Sequence, residues 1–249
     1  MIPIRDSIPT LHPAVMTRLL IVTTSLVFVF ELTLSGPAVG SLFYLFGIVP
    51  ARFTHPEWAV RIGLPIHEYW PFLTSMFLHA GWLHVIGNLW TLWIFGDNVE
   101  DRMGPVRFLL FYLLCGGVSG LVHWFASPNS TVPTVGASGA IAGVLGAYFV
   151  LFPTSRVIVL LPIFFWPFFF EVPAVAFLLF WFLVQFFSGT LAMAGPEQVG
   201  GIAWWAHVGG FAAGMLLHPF FLSRDRREAH LDELGFLAAW GGRATRRRS

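Results

Sequence analysis

Gly136-Ala137-Ser138-Gly139-Ala140 opens one apolar run, and Ala206-His207-Val208-Gly209-Gly210 opens another. Each sets one reactive side chain among small residues, at a point where a membrane helix is expected to begin. A hydroxyl and an imidazole at matching depth in lipid are costly unless they are satisfied or used. These two stretches predict helices that cross a bilayer and meet around a polar layer.

Composition agrees. The 249 residues are 56% hydrophobic and 11% charged, with mean hydropathy +0.73. Soluble domains carry about 25% charged residues, so this chain reads as an integral membrane protein. All 14 basic residues are Arg. The basic C-terminal end is too short to argue for nucleic acid, and lipid headgroups are its expected neighbour. Cys115, the single cysteine, excludes an intrachain disulfide and reads as a small packing residue. The first apolar run, beginning near Arg18, lacks a small-residue cleavage site and reads as a retained helix.

A spanning helix needs roughly 20 apolar residues. Leu19 to Leu34 is the first candidate, interrupted by Glu31. The mixed segment from Gly36 to Ala80 reads as a long loop dipped into the interface. The second span is Gly81 to Phe95, closed by Gly96-Asp97-Asn98, with Glu100, Asp101 and Arg102 capping its end. The third is Arg107 to Phe125, followed by turn chemistry at Ser127-Pro128-Asn129-Ser130-Thr131. The fourth runs from Gly136 to Phe152. Ile158 to Phe187 is about 45 Å as one helix, too long for a core of about 30 Å. Pro162, Pro167 and Pro173 split it into a short interfacial piece and a fifth span from Val172 to Phe187. Trp204 to Leu222 is the sixth. The expected fold is an all-α polytopic membrane protein, a six-transmembrane-helix bundle with a long interfacial first loop. Residues 1–17 form a short cytoplasmic N-terminus, 18–222 the membrane domain and 223–249 a basic cytoplasmic tail, with Leu231 to Trp240 resting on the membrane.

With the N-terminus inside, twelve of the 14 arginines are cytoplasmic and only Arg52 and Arg61 are outside. Without the seven arginines of the tail, the bias is five against two, in the same direction. Spans two, four and six then enter from the outer face, and bring His84, Asn88, Ser138 and His207 to one level in the outer half of the membrane.

That layer has the parts for acyl transfer. Ser138 is a weak nucleophile until a base takes its proton. His207 suits that base, and then the acid that protonates the leaving amine. His84 and Asn88, at i and i+4, share one helix face. With the Ser138 backbone N–H they form a donor set for the oxyanion. Gly139 and Gly143 form one GxxxG motif and Gly210 and Gly214 another, spacings that let helix backbones pack closely.

Taken singly, Ser138 reads as a packing residue and His207 as a partner for a neighbouring carbonyl. His79 reads as shaping the loop or the cavity, and His123 and His218 as interfacial. Glu31 and Glu171 read as solvated span ends. Three other functions are weighed: a client-binding protein without catalysis, a haem or metal protein using His84, His123 and His207, and a transporter. The zinc-protease HExxH motif is absent, because His84 is followed by Val85. No internal repeat supports a transporter.

Taken jointly, His79-Ala80-Gly81-Trp82-Leu83-His84 with Asn88, Gly136-Ala137-Ser138-Gly139, and Ala206-His207 with Gly210 and Gly214 resemble the rhomboid intramembrane serine proteases. Phe95-Gly96-Asp97-Asn98-Val99-Glu100-Asp101-Arg102-Met103-Gly104 is also similar to the segment after that family's second helix. The resemblance covers roughly residues 18 to 222. It implies a Ser138–His207 dyad without a third acidic residue. It implies an oxyanion site of His84, Asn88 and the Ser138 amide, in a water-accessible cavity open to the outer face. Gly136, Gly139, Gly143, Gly210 and Gly214 are the small residues expected around that site. The implied substrates are membrane-anchored proteins cut in or near a transmembrane segment. No metal or organic cofactor is expected, and the expected setting is a prokaryotic cell membrane with both termini cytoplasmic. An inactive, client-binding relative is the alternative. Two departures stand out. Trp70 is followed by Pro71 where many members have Arg, and Ala142 replaces an aromatic that stacks on the histidine in some members.

Overall fold

The computed structural model describes residues 1–163, 165–194 and 203–224. Most of the expected tail, including Leu231 to Trp240, lies outside the described residues.

The chain is mostly helical. Strand β1 (Ile2–Asp6) leads into α1 (Val15–Thr33). The mixed segment is a string of short helices, not a plain loop: α2 (Gly36–Phe46), α3 (Pro50–Thr54), α4 (Pro56–Arg61), α5 (Pro71–Thr74) and a 3-10 turn (Ser75–Phe77). Each of these four helices has a proline in its first turn, where the missing N–H costs nothing. Next come α6 (Trp82–Met103), α7 (Pro105–Ala126) and α8 (Ser138–Leu151). Strands β2 (Arg156–Ile163) and β3 (Trp166–Pro173) precede α9 (Ala174–Ala194) and α10 (Trp204–Phe221). By length and composition, Val15–Thr33, Pro105–Ala126 and Ala174–Ala192 each suffice to cross a membrane. The protein is an integral membrane protein.

The all-α expectation is corrected by a three-stranded antiparallel sheet, in the order β1-β2-β3. The expected interfacial piece is the β2–β3 hairpin, and α9 begins at Ala174 rather than Val172. Glu171 lies in β3, paired with Arg156 at 2.9 Å. Phe165, Trp166, Phe168 and Phe169 stand exposed on the hairpin.

The second span does not stop at Gly96-Asp97-Asn98. It runs on to Met103, because these polar groups have partners in the N-terminal arm. Asn98 Nδ2 donates to the Ile8 carbonyl at 3.0 Å. The Asp101 carboxylate accepts the N–H groups of Leu11 and His12, each at 3.0 Å. Glu100 accepts from the Met16 and Thr17 N–H groups at 2.8 and 2.7 Å. Glu100 therefore caps α1, whose first-turn donors otherwise lack acceptors, and does not cap its own helix. Gly104, at φ +80°, makes the turn from α6 into α7.

The first long segment is anchored by Arg52, which is fully buried. Its guanidinium donates to the Pro65 carbonyl at 2.5 Å, the Leu45 carbonyl at 3.1 Å and Glu68 Oε2 at 3.2 Å. Burial pulls its pKa down, and the Glu68 carboxylate pushes it back up. This guanidinium ties down the segment in which Trp70 is followed by Pro71.

At the centre lies α8, buried from Gly139 to Tyr148. It packs against α10, α7 and α6. A Cβ on Gly139 would meet Ser119, and one on Gly143 would meet Cys115, so α7 also lies close. Cys115 is buried as a free thiol, as expected of a packing residue.

Candidate active site

Ser138 is the first residue of α8, and His207 lies in the first turn of α10. Their helices meet glycine to glycine. A Cβ on Gly210 would meet the Gly139 carbonyl, and one on Gly214 the Gly143 carbonyl. This close seam holds the two side chains together, with His207 Nε2 2.7 Å from Ser138 Oγ. Both residues are half-buried.

The other ring nitrogen is also engaged. His207 Nδ1 lies 2.7 Å from Oε1 of Gln185 on α9. Gln185 Nε2 donates to the Trp181 carbonyl at 3.4 Å, which turns its oxygen toward the ring. An amide oxygen only accepts, so Nδ1 carries the proton and Nε2 is left to accept from the Ser138 hydroxyl. The Trp181 and Trp204 rings flank the imidazole at centroid distances of 5.9 and 6.4 Å. Ala142 lies in the α8–α10 seam near Gly210. Sequence reasoning missed Gln185. The available signal was an amide inside an apolar helix, which in a membrane points to a buried partner.

A cavity of about 520 Å³ is lined by Ser138, His207, Gln185, His84 and Asn88 among others. The backbone enters it through Gly136, which precedes α8 and is not part of the helix contact. Gly136 has φ +127°, and a Cβ there would press on the His84 ring. Its N–H donates to the Ser75 carbonyl at 2.8 Å. Because Ser138 starts the helix, its own N–H belongs to the first turn, where intrahelical acceptors are missing.

Asn88 is held by His79. One amide N–H of Asn88 donates to His79 Nε2 at 3.0 Å, and the His79 ring donates from Nδ1 to the Phe77 carbonyl at 3.3 Å. The His79 backbone N–H in turn reaches both carboxylate oxygens of Glu31, at 3.1 and 3.3 Å. Glu31 is therefore not a solvated span end. It is 4% exposed and ties α1 to the loop that carries His79. His123 and His218 are likewise buried rather than interfacial. His123 Nε2 pairs with Thr134 Oγ1 at 2.8 Å at the cavity wall, and His218 Nδ1 pairs with the Met215 carbonyl at 2.8 Å. Among the described residues, no group of three or more His, Cys, Asp or Glu is placed to hold a metal.

Residues 66–224 match the rhomboid domain family. The rhomboid protease GluP of Bacillus subtilis (strain 168) is 44% identical over 80 residues, 32% of this chain and 15% of that protein. The putative rhomboid protease YdcA of the same organism is 31% identical over 115 residues, 45% of this chain and 57% of its own length. RHOMBOID-like protein 1 of Arabidopsis thaliana is 34% identical over 161 residues, 64% of this chain and 36% of that protein. The chain thus spans at most 57% of the length of these relatives. The domain match covers more than half of the 249 residues, and the chain belongs to the rhomboid family.

Proposed function

We propose that this protein is an intramembrane serine endopeptidase that cuts membrane-anchored proteins in or near a transmembrane segment. The observation that carries the reading is the 2.7 Å contact between Ser138 Oγ and His207 Nε2. A hydroxyl that donates to an imidazole with its other nitrogen protonated is the arrangement general-base activation needs.

In this reading Ser138 Oγ attacks the scissile carbonyl while its proton passes to His207 Nε2. The negative charge that forms on the carbonyl oxygen is met by the Ser138 N–H, the His84 ring and the Asn88 N–H not used by His79. His207 then protonates the leaving amine, and water attacks the acyl-enzyme by the same route in reverse. Gly139, Gly143, Gly210 and Gly214 contribute by keeping α8 against α10.

The proposed membrane arrangement has six spans, α1, α6, α7, α8, α9 and α10, with residues 18–222 as the protease domain. Both termini are cytoplasmic, and residues 1–17 and 223–249 flank the domain. The arginine bias supports this orientation, which places Ser138 and His207 in the outer half of the layer. A prokaryotic cell membrane is the setting in which we expect it, and two of the relatives named above are bacterial.

A serine-reactive fluorophosphonate and a panel of tagged transmembrane segments test the reading. Wild type is expected to label and to cleave, and Ser138→Ala to do neither while unfolding at nearly the same temperature. Cleavage retained by Ser138→Ala would remove the dyad. Folded wild type that neither labels nor cleaves would favour a client-binding protein.

A further inference from the structure

We propose that Gln185 is the positioning residue for His207, accepting its Nδ1–H and thereby fixing the tautomer and ring plane that face Ser138. The proposal deepens, and rests on, the assignment of Ser138 and His207 as nucleophile and base.

The amide stands where a polar side chain is expensive. Gln185 is 6% exposed, between Phe182-Leu183-Val184 and Phe186-Phe187 on α9. A buried amide is costly unless its donors and acceptor are used. Both of its ends are engaged, and with a definite polarity. Nε2 faces the Trp181 carbonyl one turn back in the same helix, at 3.4 Å. The oxygen is left for His207 Nδ1, at 2.7 Å.

This polarity selects one tautomer of the ring. Neutral imidazole has one donor nitrogen and one acceptor nitrogen, and the bond at one fixes the role of the other. With Nδ1–H given to Gln185, the lone pair lies on Nε2, 2.7 Å from the Ser138 hydroxyl. The opposite tautomer would set an N–H against Ser138 and leave it without a base. Gln185 thus does by geometry what a carboxylate does in a three-residue arrangement, without placing a negative charge in lipid.

The same helix also supplies Trp181, whose ring lies 5.9 Å from the imidazole at an interplanar angle of 36°. Ala142 offers no ring from α8. Beside Trp204 on its own helix, the orienting contacts to His207 therefore come from α9, and α9 turns much of its surface outward, with 22% of its span buried.

Nitrogen-15 spectra of histidine-labelled protein read the tautomer directly. Wild-type His207 is expected to carry its proton on Nδ1, and Gln185→Met to show a mixture of tautomers. In cleavage assays Gln185→Met is expected to lose kcat by about 10²-fold, the cost of a mis-set catalytic group, with KM little changed. Gln185→Glu keeps an acceptor oxygen at the same reach and is expected to recover most of that rate. A merely structural glutamine would move thermal stability and KM but not the tautomer. Two results would overturn the proposal: a wild-type spectrum with the proton on Nε2, which needs no variant to fold, or Gln185→Met with wild-type tautomer and kcat. The Ser138 assignment is judged separately, since fluorophosphonate labelling of wild type stands or falls without reference to Gln185.

Discussion

The Gly139 carbonyl occupies the space that a Cβ on Gly210 would need. Ser138 directly precedes the first of these residues, and His207 stands three positions before the second. The contact that fixes the helix spacing therefore lies beside the contact between the two reactive side chains. Van der Waals packing has to hold this seam, because lipid tails are as apolar as the helices themselves.

Gly210→Val is expected to force α8 and α10 apart, although it alters no polar group. Overpacking of a tight core typically costs about 1–3 kcal/mol. The unfolding temperature in detergent is expected to fall, and fluorophosphonate labelling of Ser138 to fall with it. Unchanged stability and labelling would show that the seam tolerates a wider spacing.

Asn88→Ala is expected to lower turnover while leaving substrate binding nearly intact. One lost oxyanion donor costs about 10²–10³ in rate when it is fully engaged. Asn88 also shares a hydrogen bond with His79, so thermal unfolding of the variant has to be measured beside its kcat. A folded variant with wild-type kcat would take Asn88 out of the oxyanion role.

The N-terminal arm is expected to hold less firmly as pH rises. Tyr148 donates to the Asp6 carboxylate at 2.5 Å, and burial pushes Asp6 from its ordinary 3.8 up to about 6. Between these values the folded chain keeps a proton that the unfolded chain has released. Stability therefore falls as pH rises from about 4 to about 6 and then levels off. Amide protection in Ile2–Asp6, taken relative to the intrinsic base-catalysed exchange rate at each pH, is expected to be higher at pH 5 than at pH 7.5, and Asp6→Asn to flatten the difference. The same pH dependence in Asp6→Asn would assign it to another group.

The helix-and-glycine pattern was legible because it is local. Ser138, His207 and the small residues around them announce themselves within five positions. What the sequence concealed depends on partners far along the chain. Glu31 looks like a span end until His79, 48 residues on, brings it a backbone N–H. Gln185 looks like an interruption until His207 arrives 22 residues later. Gly96-Asp97-Asn98 has turn chemistry, but Asn98 Nδ2 donates to the Ile8 carbonyl and the helix continues. The hairpin was hidden for another reason. Residues 158–173 are apolar almost throughout, so no alternation betrays a strand. The β-branched run Val157-Ile158-Val159, flanked by prolines, was the available clue.

Helix α8 has 14 residues, about 21 Å at 1.5 Å per residue, against a hydrocarbon layer of about 30 Å. Under the proposed topology, with its far end at one border, the helix stops roughly 9 Å short of the other, and Ser138 stands at that depth. Helix length then acts as a depth gauge for the cut. Adding one residue would raise the serine by about 1.5 Å but also swing it about 100° around the axis, away from His207. If the proposed function holds, the depth of cleavage is thereby quantised in helical turns.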